Sequence, residues 1–486
     1  MTITVIFVYL AIVIAIGALS HRLFRGTGED YFVATRTIGP FILLMSLFGT
    51  NMTAFALLGA SGEAYHAGIG VFSLMASSSA LIIPSVFFFI GTRLWWLGKK
   101  HGYITQVQYF RERWDSDRLG LALFIVLVGL VIPYLLIGVM AGGLTLSQIT
   151  EGQIPEWLGG LVVCGVVLTY VSSSGLRATA WVNTFQTLVF MLLGAVAFVF
   201  IIRKLGSISA AMALVAESHP ELLIRGELIS PVKLLTYTCI PLSVGMFPHM
   251  FMHWLSARRA ESFRYPLVFY PVCIAAVWVP SVLLGIMGRI DFPELKGAAA
   301  NSVLVKMIGL YAPEVLAGLL GAGVLAAVMS SLDSQFLALG SMFTEDILKH
   351  YRFHNRMTEK QQVLAGRLFV IAVVLLIYVL SLVAERSIFK LGVWSFTGFA
   401  SLFPVVAAAL FWKRSTKYGA LGSVLSVVVL WSYFFMRGWE SPGYTVGGTG
   451  VMAVAVILPV SALVMVVVSL LTRPPEQSII EKFFPR

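Results

Sequence analysis

Ala326-Ala-Val-Met-Ser-Ser-Leu-Asp-Ser-Gln335 sets three serines and an aspartate inside an otherwise apolar run, residues 314–343. On a helix, Ala327, Ser330, Ser331 and Ser334 fall at i, i+3, i+4 and i+7 and share one face. Asp333 lies beside that face, roughly 60° from Ser330 at about 100° per residue. Hydroxyls and a carboxylate at one depth suit a hard cation, which takes oxygen ligands and can add backbone carbonyls where a helix is broken. Serines also serve as glue between membrane helices. Two readings therefore stand for this stripe: a cation site, or a structural polar pair inside a bundle. Asp333 is the one acid at mid-span; such a carboxylate costs roughly 2.5–3.5 kcal/mol on insertion scales and marks a functional site by default.

A second polar centre, Gly49-Thr50-Asn51-Met52-Thr53, interrupts the run from Gly39 to His66. It fits a broken helix whose unwound backbone lines a cavity, or an ordinary helix packing through small residues. Weaker polar features are Ser77, Ser78 and Ser79, the set Asn183, Thr184 and Gln186, and Tyr134 after Pro133. Pro248 predicts a kink beside His249. His249 itself is a satisfied core residue or a proton relay. No phosphate-binding loop, nucleophile elbow or zinc-helix pattern occurs, so ATP-driven and hydrolytic chemistry are not indicated and the chain is not read as an enzyme.

These residues need a membrane to make sense. The chain has 486 residues, 58% hydrophobic and 12% charged, with mean hydropathy +0.89. Soluble domains carry about 25% charged residues. The reading is an all-α polytopic membrane protein with thirteen spans, at 3–20, 39–61, 69–96, 119–148, 157–174, 179–202, 232–255, 266–287, 313–342, 364–384, 389–412, 417–436 and 449–472. Loops assigned alternately to two sides leave ten Lys and Arg on one: Arg203, Lys204, Arg225, Lys233, Arg289, Lys296, Lys306, Arg386, Lys390 and Arg437. The other side holds the remaining 24 of 34 and is expected to be cytoplasmic. The N-terminus is then outside and the C-terminus inside. The net charge of +11 follows from that bias and does not ask for nucleic acid. Cys164, Cys239 and Cys273 show no metal or disulfide spacing. The first 26 residues lack a basic start and a cleavage site, and predict a retained first helix.

Several segments together resemble the sodium:solute symporter family. EDYFVATRTIGPF is similar to its loop entering the second span, GYITQVQYFRERW to its amphipathic stretch before the fourth, FPHMFMHWLSARR to its seventh, and GVLAAVMSSLDSQFLALGSMFTEDI to its ninth. The resemblance implies a LeuT-like fold: two inverted five-helix repeats, one extra helix before and two after. It divides the chain into 1–38, 39–205, 206–412 and 413–486. It also implies a Na⁺ site made by the carbonyls of Gly49, Met52 and Ala327 and the hydroxyls of Ser330 and Ser331. Substrate would lie against the unwound second span, at Asn51 and Thr53, with Ser78, Tyr134, Phe247 and His249 facing them. Two departures stand out. Where relatives carry an aspartate in the sixth span, this chain has Asn183, and Asp333 appears in the ninth. The resemblance thus suggests that a buried carboxylate has moved, with Asp333, Ser334 and Asn183 forming a second cation or coupling site. The expectation is a sodium-coupled secondary active symporter of a small organic solute in the cell membrane, with no obligate protein partner. A proton-coupled transporter using Asp333, or a solute-sensing membrane protein, is the alternative.

Overall fold

The computed structural model describes residues 1–21, 36–226, 228–351, 357–384, 387–439, 441 and 443–484. Part of the loop entering the second span, 22–35, lies outside them. The described residues form helices with no strand among them. The principal ones are α1 (Thr2–His21), α2 (Pro40–Asn51), α3 (Phe55–Ala67), α4 (Gly70–His101), α5 (Asp117–Ile149), α6 (Glu156–Lys204), α7 (Pro231–Met246), α8 (Pro248–Ser256), α9 (Arg264–Asp291) and α10 (Glu314–Met342). They are followed by α11 (Glu359–Val383), α12 (Ile388–Phe411), α13 (Lys417–Gly438) and α14 (Val454–Leu471).

Ten helices among the described residues are long and apolar enough to cross a membrane, and twelve if each of two bent pairs is one span. The expected count of thirteen is not reproduced by separate helices. Its 157–174 and 179–202 spans run together in the 49 residues of α6. No proline interrupts residues 156–204, so nothing in the sequence forces the backbone out of helix there. The apolar piece before that join, Glu156–Thr169, is under 18 residues long.

The bent pairs are α2 with α3, at 57°, and α7 with α8, at 55°. The second has a simple cause. Pro248 brings no N–H and pushes the residue before it out of helical space, and Phe247 sits at φ −68°, ψ 123°. The first falls at Met52 (φ −89°, ψ 81°), inside the polar centre expected to break.

α10 lies at the middle of the bundle. It packs against α1, α2, α5, α6 and α8, and 83% of its apolar window is buried, against 28% for α1 and for α14. Peripheral helices turn large side chains outward, such as Leu192, Leu375 and Leu471; facing lipid, these need no cover. One end of the bundle is tied shut. The short helix Gln106–Trp114 begins with a capping box between Thr105 and Gln108. Thr105 donates to Asp346 Oδ2 at 2.8 Å, and Arg111 reaches Asp346 Oδ1 at 3.4 Å. Arg113 holds the Ala409 and Trp412 carbonyls at 3.0 and 3.1 Å, fixing the end of α12.

Candidate functional site

The site starts from carbonyls that α2 cannot satisfy. In a continuing helix the Gly49 carbonyl would accept from the amide of residue 53, but the chain leaves the helix at Met52. The last four carbonyls of a helix need outside partners. Ser330 of α10 supplies one: its Oγ donates to the Gly49 carbonyl at 2.9 Å and lies 3.0 Å from the Ala327 carbonyl. Three oxygens from two helices thus converge. The approach depends on Gly49 having no side chain, because a Cβ there would stand 2.0 Å from Thr187 Oγ1 of α6. Thr187 in turn donates to the Met45 carbonyl at 3.1 Å. Ser331 points elsewhere, donating to Val328 of its own helix at 3.0 Å. Met52 closes α2 through its N–H on Phe48 at 2.8 Å, which leaves its own carbonyl in the non-helical link.

A second polar cluster adjoins this one, and Ser334 is its hub. Asn183 Nδ2 donates to Ser334 Oγ at 2.7 Å, and Ser334 Oγ donates to Asp333 Oδ1 at 3.2 Å. His253 Nε2 lies 3.1 Å from Ser334 Oγ. With its single hydrogen on Asp333, Ser334 accepts from both others, which assigns the proton of His253 to Nε2. All four side chains are buried, Asp333 and Asn183 completely. Asn183 Oδ1 has no hydrogen-bond partner. Tyr9 of α1 stands beside Gln186 and within electrostatic reach of the Asp333 carboxylate. No group of three or more His, Cys, Asp or Glu poised for a transition metal occurs among the described residues; the donors here are mostly neutral oxygens.

Two cavities bear on a solute. A central pocket of about 30 Å³ at the breaks is lined by Asn51, Met52, Phe55, Ser79, Ser243, Phe247, Trp278 and Phe396. It has room for a water or two. A larger one of about 270 Å³ lies between the ends of α3, α7, α12 and α13. Aromatic rings divide them: Phe55 stacks on Phe389 at 4.8 Å, and Phe389 on Tyr237 at 6.4 Å.

Of the six residues expected against a solute, Asn51 and Phe247 line the central pocket. Asn51 also donates to Tyr270 at 2.6 Å, and Tyr134 donates to the Asn51 carbonyl at 3.4 Å. Thr53 Oγ1 accepts the Phe55 N–H at 3.0 Å, so it serves the start of α3. Ser78 bonds Leu74 of its own helix at 3.2 Å, and its neighbour Ser79 lines the pocket instead. His249 stacks on Phe247 at 5.1 Å, with both ring nitrogens buried and without partners. Sequence reasoning passed over His253, although it lies four residues after His249 on one helix face. It also passed over Phe55, Trp278 and Phe396, since apolar rings carry no signal in a chain this hydrophobic.

The profile of the Sodium:solute symporter family matches residues 31–426. The sodium/proline symporter of Escherichia coli (strain K12) is 25% identical, over 93% of this chain and 92% of its own. The sodium/pantothenate symporter of the same organism is 23% identical, over 87% and 88%. Among solved structures, a Na⁺-coupled sialic acid symporter in a substrate-bound outward-open state superposes with a TM-score of 0.78. It has 17% identity and covers 98% of this chain and 99% of that one. A nucleobase-cation-symport-1 family transporter in a closed conformation gives 0.61 at 14% identity, over 94% and 99%. These likenesses establish the LeuT-like fold.

Proposed function

The chain belongs to the sodium:solute symporter family, and from that premise we propose that it couples Na⁺ to the uptake of a small organic solute across the cell membrane by alternating access. One observation carries the reading: Ser330 Oγ spans from α10 to the freed Gly49 carbonyl of α2. A Na⁺ ion entering there takes the Gly49 and Ala327 carbonyls as ligands. The Ser330 hydroxyl rotates its proton away and offers a lone pair. Met52 and Ser331 complete the shell once each turns its oxygen inward. Na⁺ then stabilises the arrangement in which α2 and α10 are held together, and solute affinity rises through that preference.

The charge bias puts the larger cavity on the outside and the Arg111–Asp346 tie on the cytoplasmic side, with the N-terminus outside and the C-terminus inside. The two breaks fall in the second and seventh of the thirteen expected spans, the spacing that repeats over 39–205 and 206–412 require. The solute sits at Asn51 and Phe247, below the Phe55–Phe389 stack. Asp333, Ser334 and Asn183 support a second cation, and the bond from His253 to Ser334 favours a proton as a second reading. Uptake into proteoliposomes separates them. The expected result is accumulation driven by a Na⁺ gradient, and sharply reduced Na⁺-dependent uptake in Asp333→Asn. Accumulation driven by a pH gradient without Na⁺ selects the proton. Full Na⁺-driven transport by Asp333→Asn, with unchanged Na⁺ affinity, removes Asp333 from coupling.

A further inference from the structure

The larger cavity contains charge of both signs that is not used up internally. Glu63 near the end of α3, Lys233 on α7 and Lys390 on α12 all line it. Glu63 and Lys390 both act electrostatically on Lys233, yet no ion pair closes among the three. Lys233 Nζ donates to the Leu228 carbonyl at 2.8 Å. Tyr237, at the cavity's inner end, has a buried hydroxyl without a partner. The rest of the wall is mixed: rings of Phe389 and Trp394, aliphatic Leu391 and Met452, and the neutral polar Asn301 and Thr397.

We propose that this cavity is an outer binding station for a zwitterion, a small solute carrying a carboxylate and an ammonium. Lys390, with Lys233 behind it, takes the carboxylate as a compact point charge. Glu63 takes the ammonium, and Trp394 offers it a ring face. The Tyr237 hydroxyl donates to the carboxylate as the solute reaches the Phe389 floor. A cleft with low-dielectric walls concentrates a solute whose charges match its own. A neutral sugar would leave all three charges unmatched, and a lone cation would meet two lysines. The inference rests on the symport reading and adds the substrate class to it.

The full chain, purified and reconstituted, tests this by thermal shift in saturating NaCl. The probes are the twenty common amino acids and glycine betaine as zwitterions, propionate as a carboxylate alone, choline as a cation alone, and galactose as a neutral solute. Zwitterions alone are expected to respond. Lys390→Gln and Glu63→Gln should each raise the half-saturating concentration of the responding zwitterion about tenfold. The stabilisation by Na⁺ alone should be unchanged, and Lys390→Arg should restore most of the affinity. A response confined to galactose, choline or propionate overturns the proposal. So does a panel without a zwitterion hit, or an unchanged half-saturation in both variants. Absence of any Na⁺ shift in the unaltered protein counts against the symport reading instead.

Discussion

The two breaks bend their helices almost equally, 57° and 55°, but their freed carbonyls meet different partners. At the first, Gly49 faces a serine hydroxyl of α10. At the second, Met246 accepts from Gln106 Nε2 at 3.1 Å, an amide group that only donates. A hydroxyl can give up its hydrogen bond and turn a lone pair to a cation; an amide NH₂ cannot. One break is thus a carbonyl whose partner can become a ligand without moving, and the other is a carbonyl capped by an amide donor. A broken helix alone does not make an ion site; the group opposite the break decides it.

Mutations can break this contrast. Gly49→Ala should have the largest effect. Its Cβ would stand 2.0 Å from Thr187 Oγ1, so α2 must lift from α6 or Thr187 must rotate off Met45. Overpacking of this kind costs about 1–3 kcal/mol, and Na⁺-driven uptake should be lost with it. The double variant Gly49→Ala/Thr187→Ala should recover stability, measured by thermal denaturation in the presence and absence of Na⁺. If it does not, the close approach is not what glycine provides.

Ser330→Ala comes next. It leaves the Gly49 carbonyl buried without its partner, a loss of about 1–3 kcal/mol. The Na⁺ concentration giving half-maximal uptake should rise at least about tenfold, the equivalent of 1.4 kcal/mol. An unchanged Na⁺ titration would remove Ser330 from the site. Gln106→Leu should cost a similar ~1–3 kcal/mol by orphaning the Met246 carbonyl, yet leave the Na⁺ titration where it was. A shifted Na⁺ midpoint there would mean that the two breaks are not independent. Ser331→Ala should do least to stability, about 0.5–1.5 kcal/mol, because its hydroxyl returns to Val328 of its own helix. Comparing its Na⁺ midpoint with that of Ser330→Ala measures how far Ser331 turns inward when the ion binds.

Some of this protein was settled by its sequence. Apolar runs of membrane length dictate helices, because backbone groups in lipid must be satisfied within the segment. Pro248 dictates the second break through its missing N–H. The polar centre Gly49–Thr53 and the serines of residues 330–334 stand out against an oily background, so the two halves of the candidate ion site were legible before any coordinates. What remained hidden were the pairings across 140 to 281 residues of chain: Ser330 with Gly49, Asn183 with Ser334, Gln106 with Met246. A hydroxyl, an amide and a carbonyl carry no mark of their distant partners. His253 and Ser79 look no different from His249 and Ser78 until packing turns one of each toward the polar cluster or the pocket. The thirteenth span is not set apart as its own helix for a related reason: composition shows where a chain can lie in lipid, but only local geometry shows where a helix stops. Residue type fixed which atoms need partners, and the tertiary structure alone decided which partners they have, because that choice rests on packing between helices far apart in sequence.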